Sequence, residues 1–126
     1  MAHICIIDDS PTDVHALSTM LAKGGHRVSS APSAEQGIAL VKRERPDLVI
    51  MDVIMPGING FQATRDLSRD VQTATIPILI ITTKSMEADR VWGLRQGAKD
   101  FMTKPVREKD LLARIKKRPS KAALFK

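Results

Sequence analysis

Cysteine is nearly absent from this chain of 126 residues: the single thiol, Cys5, lies among isoleucines in an apolar run. One cysteine excludes an internal disulfide, and its position indicates an inert core thiol in a reducing compartment. No apolar run approaches the length that spans a membrane, and the first residues lack the basic start and apolar core of a secretory signal. We therefore expect a soluble cytoplasmic protein without membrane insertion.

Aromatic residues are also scarce, with no tyrosine, three phenylalanines and one tryptophan. The net charge of +6 invites a nucleic-acid hypothesis, but residues 1–106 carry equal numbers of basic and acidic residues, so the excess begins at Arg107. Nucleic-acid binding would need aromatic stacking or a recognition helix, and we expect none. We interpret Lys116-Lys117-Arg118 and Lys121 as a solvated face near a helix C-terminus. Binding of these basic residues to an acidic protein or membrane surface is the alternative.

The apolar content of 43% over 126 residues matches one globular domain. We assign residues 1–118 to that domain and residues 119–126 to a basic C-terminal tail. Short apolar runs alternate with stretches of helical period, which is the pattern of βα units around a parallel sheet. The predicted strands are His3–Asp8, His26–Ser30, Leu48–Asp52, Ile76–Thr82 and Lys99–Thr103. The predicted helices begin at Ser10-Pro11, Ser33, Phe61, Met86 and Arg107, and they end at Gly24-Gly25, before Pro46, and at Asp70, Gln96 and Lys117.

Acidic side chains lie at the ends of two of these strands: Asp8 and Asp9 at the end of the first, and Asp52 at the end of the third. Parallel strands joined by right-handed crossovers end at one edge of the sheet, where open α/β proteins bind their ligands. Crowded carboxylates repel each other unless a cation or a proton intervenes, and hard oxygen ligands suit Mg²⁺. We therefore expect Asp9 and Asp52 to hold Mg²⁺, although each alone could be an ordinary helix cap.

The fourth and fifth strands add Thr82 and Lys104 to this edge. A carboxylate can attack phosphorus when cations neutralise its charge and that of the transferring group, which Mg²⁺ and Lys104 would do. A hydroxyl such as that of Thr82 would bond a phosphoryl oxygen. Together these residue types indicate a phosphoryl-transfer site, whereas Lys104 alone could be a plain surface lysine.

Five pieces of the sequence, in this order and at these spacings, resemble the CheY-like receiver domain of bacterial two-component response regulators. They are Asp8-Asp9, Asp52, Met55-Pro56-Gly57, Thr82 and Lys104-Pro105. The resemblance implies a flavodoxin-like, doubly wound (βα)5 fold with a five-stranded parallel sheet of order 2-1-3-4-5. It implies that Asp52 is the phosphoacceptor and that Asp9 is the direct Mg²⁺ ligand, with Asp8 supporting it. The backbone carbonyl of Ile54 would complete the protein ligands, and Thr82 and Lys104 would sense the phosphate.

Four further stretches are similar to the single-domain receivers of chemosensory pathways that control type IV pili. They are Asn59-Gly60-Phe61-Gln62-Ala63-Thr64-Arg65, Thr82-Thr83-Lys84, Val91-Trp92-Gly93 and Arg95-Gln96-Gly97-Ala98. This similarity implies a histidine kinase of the chemotaxis type and a downstream motility protein as partners in twitching motility. We expect a monomeric signalling protein rather than an enzyme.

The family resemblance also implies an output surface formed by the fourth helix, the fifth strand and the fifth helix. It would include Arg90, Leu94, Phe101 and Arg114. Phe101 stands where the family often has tyrosine, and it would swing inward as Thr82 moves; plain core packing is the alternative. Trp92 on the fourth helix suits a protein interface, with an isolated apolar surface residue as the alternative.

Other functions share parts of this pattern. A phosphate sink, or a regulator in another chemotaxis-like pathway, would have the same site. A haloacid-dehalogenase-like phosphatase also forms an aspartyl-phosphate, but its pattern requires Asp-x-Asp at one strand end, which neither Asp8-Asp9 nor Asp52-Val53-Ile54 supplies. A flavodoxin-type electron carrier would need a hydroxyl-rich phosphate loop after the first strand, for which Ser10-Pro11-Thr12 is a poor substitute.

Overall fold

Strands and helices alternate along the chain in the computed structural model, which describes residues 1–116. In chain order the elements are β1 (His3–Ile7), α1 (Pro11–Lys23), β2 (Arg27–Ala31), α2 (Ala34–Glu44), β3 (Leu48–Met51), α3 (Gly60–Arg69), β4 (Ile78–Thr82), α4 (Glu87–Arg95), β5 (Asp100–Thr103) and α5 (Glu108–Lys116). The strands form one sheet in the order β2-β1-β3-β4-β5, and every pairing in it is parallel. The predicted α/β fold and strand order are confirmed.

The sheet is covered on both faces, and alternate residues of each strand supply the two cores. Cys5 and Ile7 of β1 belong to one core with buried residues of α2 and α3, whereas Ile4 and Ile6 belong to the other core, with α1 and α5. All residues of β1, β3 and β4 are buried. A parallel sheet covered on both faces produces such continuous apolar strands, because neither side chain direction leads to water.

Polar caps and proline determine where several elements begin. The side chains of Ser10, Ser33 and Asn59 each accept a backbone N–H bond from the first turn of the helix that follows. β4 begins at Ile78 rather than at the predicted Ile76. Pro77 has no N–H, and only its carbonyl joins the ladder, by accepting from the Val49 amide at 3.0 Å.

The other predicted boundaries differ from the structure by one residue or agree with it. β1 and β3 end one residue before Asp8 and Asp52, although the amides of both residues still donate to neighbouring strands. The predicted end of the last helix at Lys117 and the predicted tail 119–126 lie outside the described residues. Among residues 1–116, no helix combines the length and hydropathy needed to cross a membrane.

Candidate functional site

The strand ends at one edge of the sheet are held in place by backbone hydrogen bonds that continue beyond the strands. The Asp52 amide donates to the Ile7 carbonyl at 2.9 Å, and the Asp8 amide donates to the Ala31 carbonyl at 3.1 Å. On the other side of the site, the Lys104 amide donates to the Thr82 carbonyl at 2.8 Å. Residues that are distant in sequence are therefore placed by the rigid part of the fold.

Gly60 lets the start of α3 approach the loop that carries Asp52. A Cβ at this position would lie 2.0 Å from the backbone oxygen of Asp52. The Gly60 amide donates to the Val53 carbonyl at 3.0 Å. The close approach thus requires glycine, and it ties the phosphoacceptor candidate to the N-terminus of a helix.

The Lys104 ammonium is the centre of the site. Its Nζ donates to Asp8 Oδ2 at 2.8 Å, to Asp13 Oδ2 at 2.7 Å and to Asp52 Oδ2 at 2.9 Å. The Lys104 side chain is only 11% exposed. An ammonium has three N–H donors and no acceptor, so all of its donors are directed at carboxylates.

The carboxylates of Asp8, Asp9 and Asp52 form a compact cluster, in which one oxygen from each lies within 4.8 Å of the others. Asp8 and Asp52 are buried, whereas Asp9 faces solvent. Mg²⁺ prefers carboxylate oxygens and keeps several of its waters, so a set of three acids open to water on one side fits this ion. The cluster could therefore hold a divalent metal, as expected from the sequence.

Burial and charge shift two pKa values at the site. Burial raises the pKa of the Asp8 carboxyl above its ordinary value, and it outweighs the opposing hydrogen bonds from Lys104 and the Ser10 amide. Burial by itself lowers the pKa of the Lys104 ammonium, but the hydrogen bonds to Asp13, Asp8 and Asp52 more than offset this, and its pKa is raised. Lys104 therefore carries a full positive charge at neutral pH.

The remaining predicted site residues are Thr82, the last residue of β4, and Ile54, in the loop after β3. Thr82 is fully buried at the end of β4, between the strands that carry Asp52 and Lys104, and its Oγ1 accepts from the Lys84 amide at 3.5 Å. The Ile54 amide donates to Asp52 Oδ1 at 3.2 Å, and the Ile54 side chain is exposed. The metal role of the Ile54 carbonyl and the sensing role of Thr82 stay predictions.

Two residues of the predicted output surface pack against the core. Phe101 is 8% exposed and belongs to the core that also contains residues of α2 and α3, and Leu94 of α4 is partly buried against that core. Gly93 makes room for it, because a Cβ there would lie 3.3 Å from the Phe101 ring and 2.8 Å from Ile80 Cδ1. The predicted inward swing of Phe101 therefore starts from a side chain that is already buried.

The other predicted surface residues, Arg90, Trp92 and Arg114, are exposed, and their role in an output surface stays a prediction. Arg114 of α5 pairs with Asp100 of β5 at 2.6 Å. Arg90 pairs with Glu87 at 3.3 Å along α4. Trp92 is half exposed and lines a cleft of about 200 Å³ between α3 and α4 with residues such as Phe61. The structure thus places Trp92 beside α3.

The hydrogen bond from Lys104 to Asp13 is not predicted from the sequence. Asp13 lies in the first turn of α1, where an acidic residue is explained by the helix dipole alone, and its amide donates to Ser10 Oγ at 3.3 Å. Lys104, to which it binds, lies 91 residues later. The pairing of Asp13 with Lys104 therefore depends on the tertiary fold.

Comparison with known proteins places these contacts in context. The family described as response regulator receiver domain matches residues 4–116. Protein PilH of Pseudomonas aeruginosa is 55% identical over 115 residues, which cover 91% of this chain and 95% of PilH. The transcriptional regulatory protein AfsQ1 of Streptomyces coelicolor is 40% identical, and the match covers 92% of this chain but 50% of AfsQ1. The chain therefore spans half the length of that relative.

Solved structures show the same architecture. The chemotaxis protein CheY4 of Vibrio cholerae superimposes with a TM-score of 0.86 at 28% identity, covering 92% of this chain and 97% of CheY4. The likeness therefore extends over nearly the whole of both molecules and includes the sheet edge that carries the carboxylate cluster.

Proposed function

Because the chain belongs to the response regulator receiver domain family, we propose that it is a single-domain phospho-switch that accepts a phosphoryl group on Asp52. In the proposed step, an Asp52 carboxylate oxygen forms a bond to phosphorus as the N–P bond of a kinase phosphohistidine breaks. The electron pair of that bond stays on the histidine nitrogen. In the reverse half of the cycle, water would attack phosphorus and the O–P bond to Asp52 would break, which releases inorganic phosphate and returns Asp52 to a carboxylate.

The contacts of Lys104 carry this proposal. The Lys104 ammonium lies 2.9 Å from Asp52 Oδ2, and the Asp52 side chain is only 8% exposed. A cation at this distance would neutralise the negative charge that accumulates when a phosphoryl group meets a carboxylate, and exclusion of water strengthens the effect. The Ile54 amide orients the other oxygen of Asp52 at 3.2 Å. Asp52 would thus be presented in one orientation.

The neighbouring residues have supporting roles in the proposal. Asp9, Asp52 and the backbone carbonyl of Ile54, with Asp8 in support, would hold Mg²⁺, which when bound supplies positive charge for the phosphoryl oxygens. The Thr82 hydroxyl would bond a phosphoryl oxygen, and its movement would be passed to Phe101. Thr82→Ala should therefore still be phosphorylated, but its phosphorylated and unphosphorylated forms should differ less in affinity for the partner. If the two forms of the parent protein bind the partner with equal affinity, this role of Thr82 is contradicted.

Intact-mass spectrometry after incubation with acetyl phosphate tests the chemistry. The parent protein with Mg²⁺ should gain one phosphoryl group, whereas Asp52→Asn and a metal-free sample should gain none. Asp66→Asn is a matched control, because Asp66 is an exposed residue of α3 that bonds Gln62 and not the site. A parent protein that gains no mass and does not bind beryllofluoride would overturn the proposal.

The pathway is a finer part of the same proposal. The similarity to PilH supports a role in control of type IV pilus twitching motility, with a chemotaxis-type histidine kinase as donor and a motility protein as target, in the cytoplasm. The protein should act as a monomer, which size-exclusion chromatography would check. Expression in a Pseudomonas aeruginosa strain that lacks PilH tests the pathway: restored twitching by the parent protein, but not by Asp52→Asn, is the expected result.

The lifetime of the aspartyl-phosphate separates two versions of the role. A lifetime of seconds would favour a phosphate sink, and a long lifetime would favour a messenger. Decay of the added mass after removal of acetyl phosphate measures it directly. Steady release of phosphate from a phosphate ester would instead favour a phosphatase.

A further inference from the structure

We propose that Asp13 is a positioning residue that holds the Lys104 ammonium in the unphosphorylated protein and thereby opposes phosphorylation of Asp52. The inference rests on the function proposed above and deepens it. It assigns a role to a side chain that the sequence pattern did not select. The role depends on the contacts of one lysine.

All three donors of Lys104 are occupied in the structure. The acceptors are Asp13 Oδ2 at 2.7 Å, Asp8 Oδ2 at 2.8 Å and Asp52 Oδ2 at 2.9 Å. Because an ammonium has only three N–H groups, a phosphoryl oxygen can gain a hydrogen bond from Lys104 only when one carboxylate gives its bond up. Phosphorylation thus requires an exchange of partners at Lys104.

Exposure determines which carboxylate is released. The side chains of Asp8 and Asp52 are 2% and 8% exposed, whereas that of Asp13 is 42% exposed. A buried carboxylate that loses its cation is left unsolvated, which is costly, but a half-exposed one is taken over by water. Asp13 also lies in the first turn of α1, where the helix N-terminus favours a negative charge without Lys104. Phosphorylation converts the Asp52 carboxylate into an acyl phosphate, so the bond from Lys104 to Asp52 can pass to a phosphoryl oxygen. Of the two partners that remain carboxylates, Asp13 is therefore the one that Lys104 gives up more readily.

Space for this exchange lies beside the site. Asp13 and Lys104 both line an open cleft of about 320 Å³, together with Thr83, Leu17 and Pro105. Until the exchange occurs, Asp13 occupies a donor that the phosphoryl group needs and adds a negative charge close to the incoming anion. Both effects favour the unphosphorylated state.

Affinity for beryllofluoride in the presence of Mg²⁺ tests the inference on the full chain. Loss of a partly exposed ion pair is worth about 1 kcal/mol, so Asp13→Asn should bind beryllofluoride about fivefold more tightly than the parent protein. Asp13→Glu keeps the charge and should restore the parent affinity to within about twofold. Asp66→Asn removes one distant negative charge and should leave the affinity unchanged. Phosphorylation by acetyl phosphate should be faster in Asp13→Asn by a similar factor.

A second measurement separates this role from a general effect on helix stability. In protein labelled with ¹⁵N at the lysine Nζ atoms, the Lys104 ammonium protons should exchange with water faster in Asp13→Asn than in the parent, because a neutral amide oxygen holds the ammonium less tightly than a carboxylate does. Equal exchange rates in the parent protein and in Asp13→Asn would overturn this inference. So would equal affinities of the two proteins for beryllofluoride, provided that the parent protein binds it. Neither result would contradict the proposed function. A parent protein that neither binds beryllofluoride nor accepts a phosphoryl group would overturn the proposed function and this inference with it.

Discussion

Replacing Lys104 by methionine should destabilise the protein strongly, because it leaves three carboxylates without their shared cation. The side chain is 11% exposed, and two of its partners, Asp8 and Asp52, are 2% and 8% exposed. Removing one member of a buried ion pair costs about 3–5 kcal/mol. Asp13 is 42% exposed and is resolvated, and Asp8 can take up a proton, so part of this cost is relieved. We expect a loss of about 2–4 kcal/mol in the free energy of unfolding at pH 7.

Urea unfolding followed by circular dichroism measures this loss. Lys23→Met is the matched control, since Lys23 is 67% exposed and its ion pair with Glu108 is long, at 3.7 Å. Its cost should stay below about 0.5 kcal/mol. Mg²⁺ should recover more stability in Lys104→Met than in the parent protein, because the ion would replace the lost positive charge among the acids. Equal losses in the two variants would refute the reasoning that the Lys104 network is a buried, mutually dependent set of charges.

Three other predictions follow from separate features. Gly60→Ala should cost about 2–3 kcal/mol of unfolding free energy in urea, because the added Cβ overlaps the Asp52 backbone oxygen; a neutral effect would contradict the close approach. Burial raises the pKa of the Cys5 thiol to about 11, so the folded state keeps its proton above pH 9. The thiol should react with iodoacetamide only at the rate of unfolding, and its contribution to stability should fall as pH rises from about 9 to about 11; fast labelling at pH 8 would refute this. Asp9→Asn should weaken Mg²⁺ binding in calorimetry without lowering metal-free stability, since it removes one repelling charge; unchanged Mg²⁺ affinity would exclude Asp9 as a ligand.

Much of the fold could be read from local pattern. Continuous apolar runs such as Ile4-Cys5-Ile6-Ile7 predict strands buried on both faces, and Ser10, Ser33 and the Asn59-Gly60 turn mark helix starts. These signals depend only on neighbouring residues, so they need no knowledge of the rest of the chain. The exact start of β4 was missed because the strand pattern of Ile76 continues across Pro77, which lacks the N–H that a ladder needs.

Residues at strand ends were predictable for a different reason. Parallel topology brings the carboxyl ends of strands to one edge, so Asp8, Asp9 and Asp52 are expected to be neighbours if β1 and β3 lie side by side in the sheet. The family resemblance added the strand order, which places Lys104 across the same edge. The composition of the carboxylate cluster was therefore determined by the sequence itself.

Only the tertiary structure decided how the charges are shared. The binding of Lys104 to Asp13 joins residues 91 positions apart, and nothing near either residue indicates it. The same holds for Trp92, which lies against α3, and for Phe101, which fits beneath α4 because Gly93 has no side chain. Periodicity and caps report short-range interactions, whereas hydrogen-bond partners and burial depend on how whole elements pack. The sequence thus determines which chemical groups form the site, and the packing of the elements determines which of these groups bind one another.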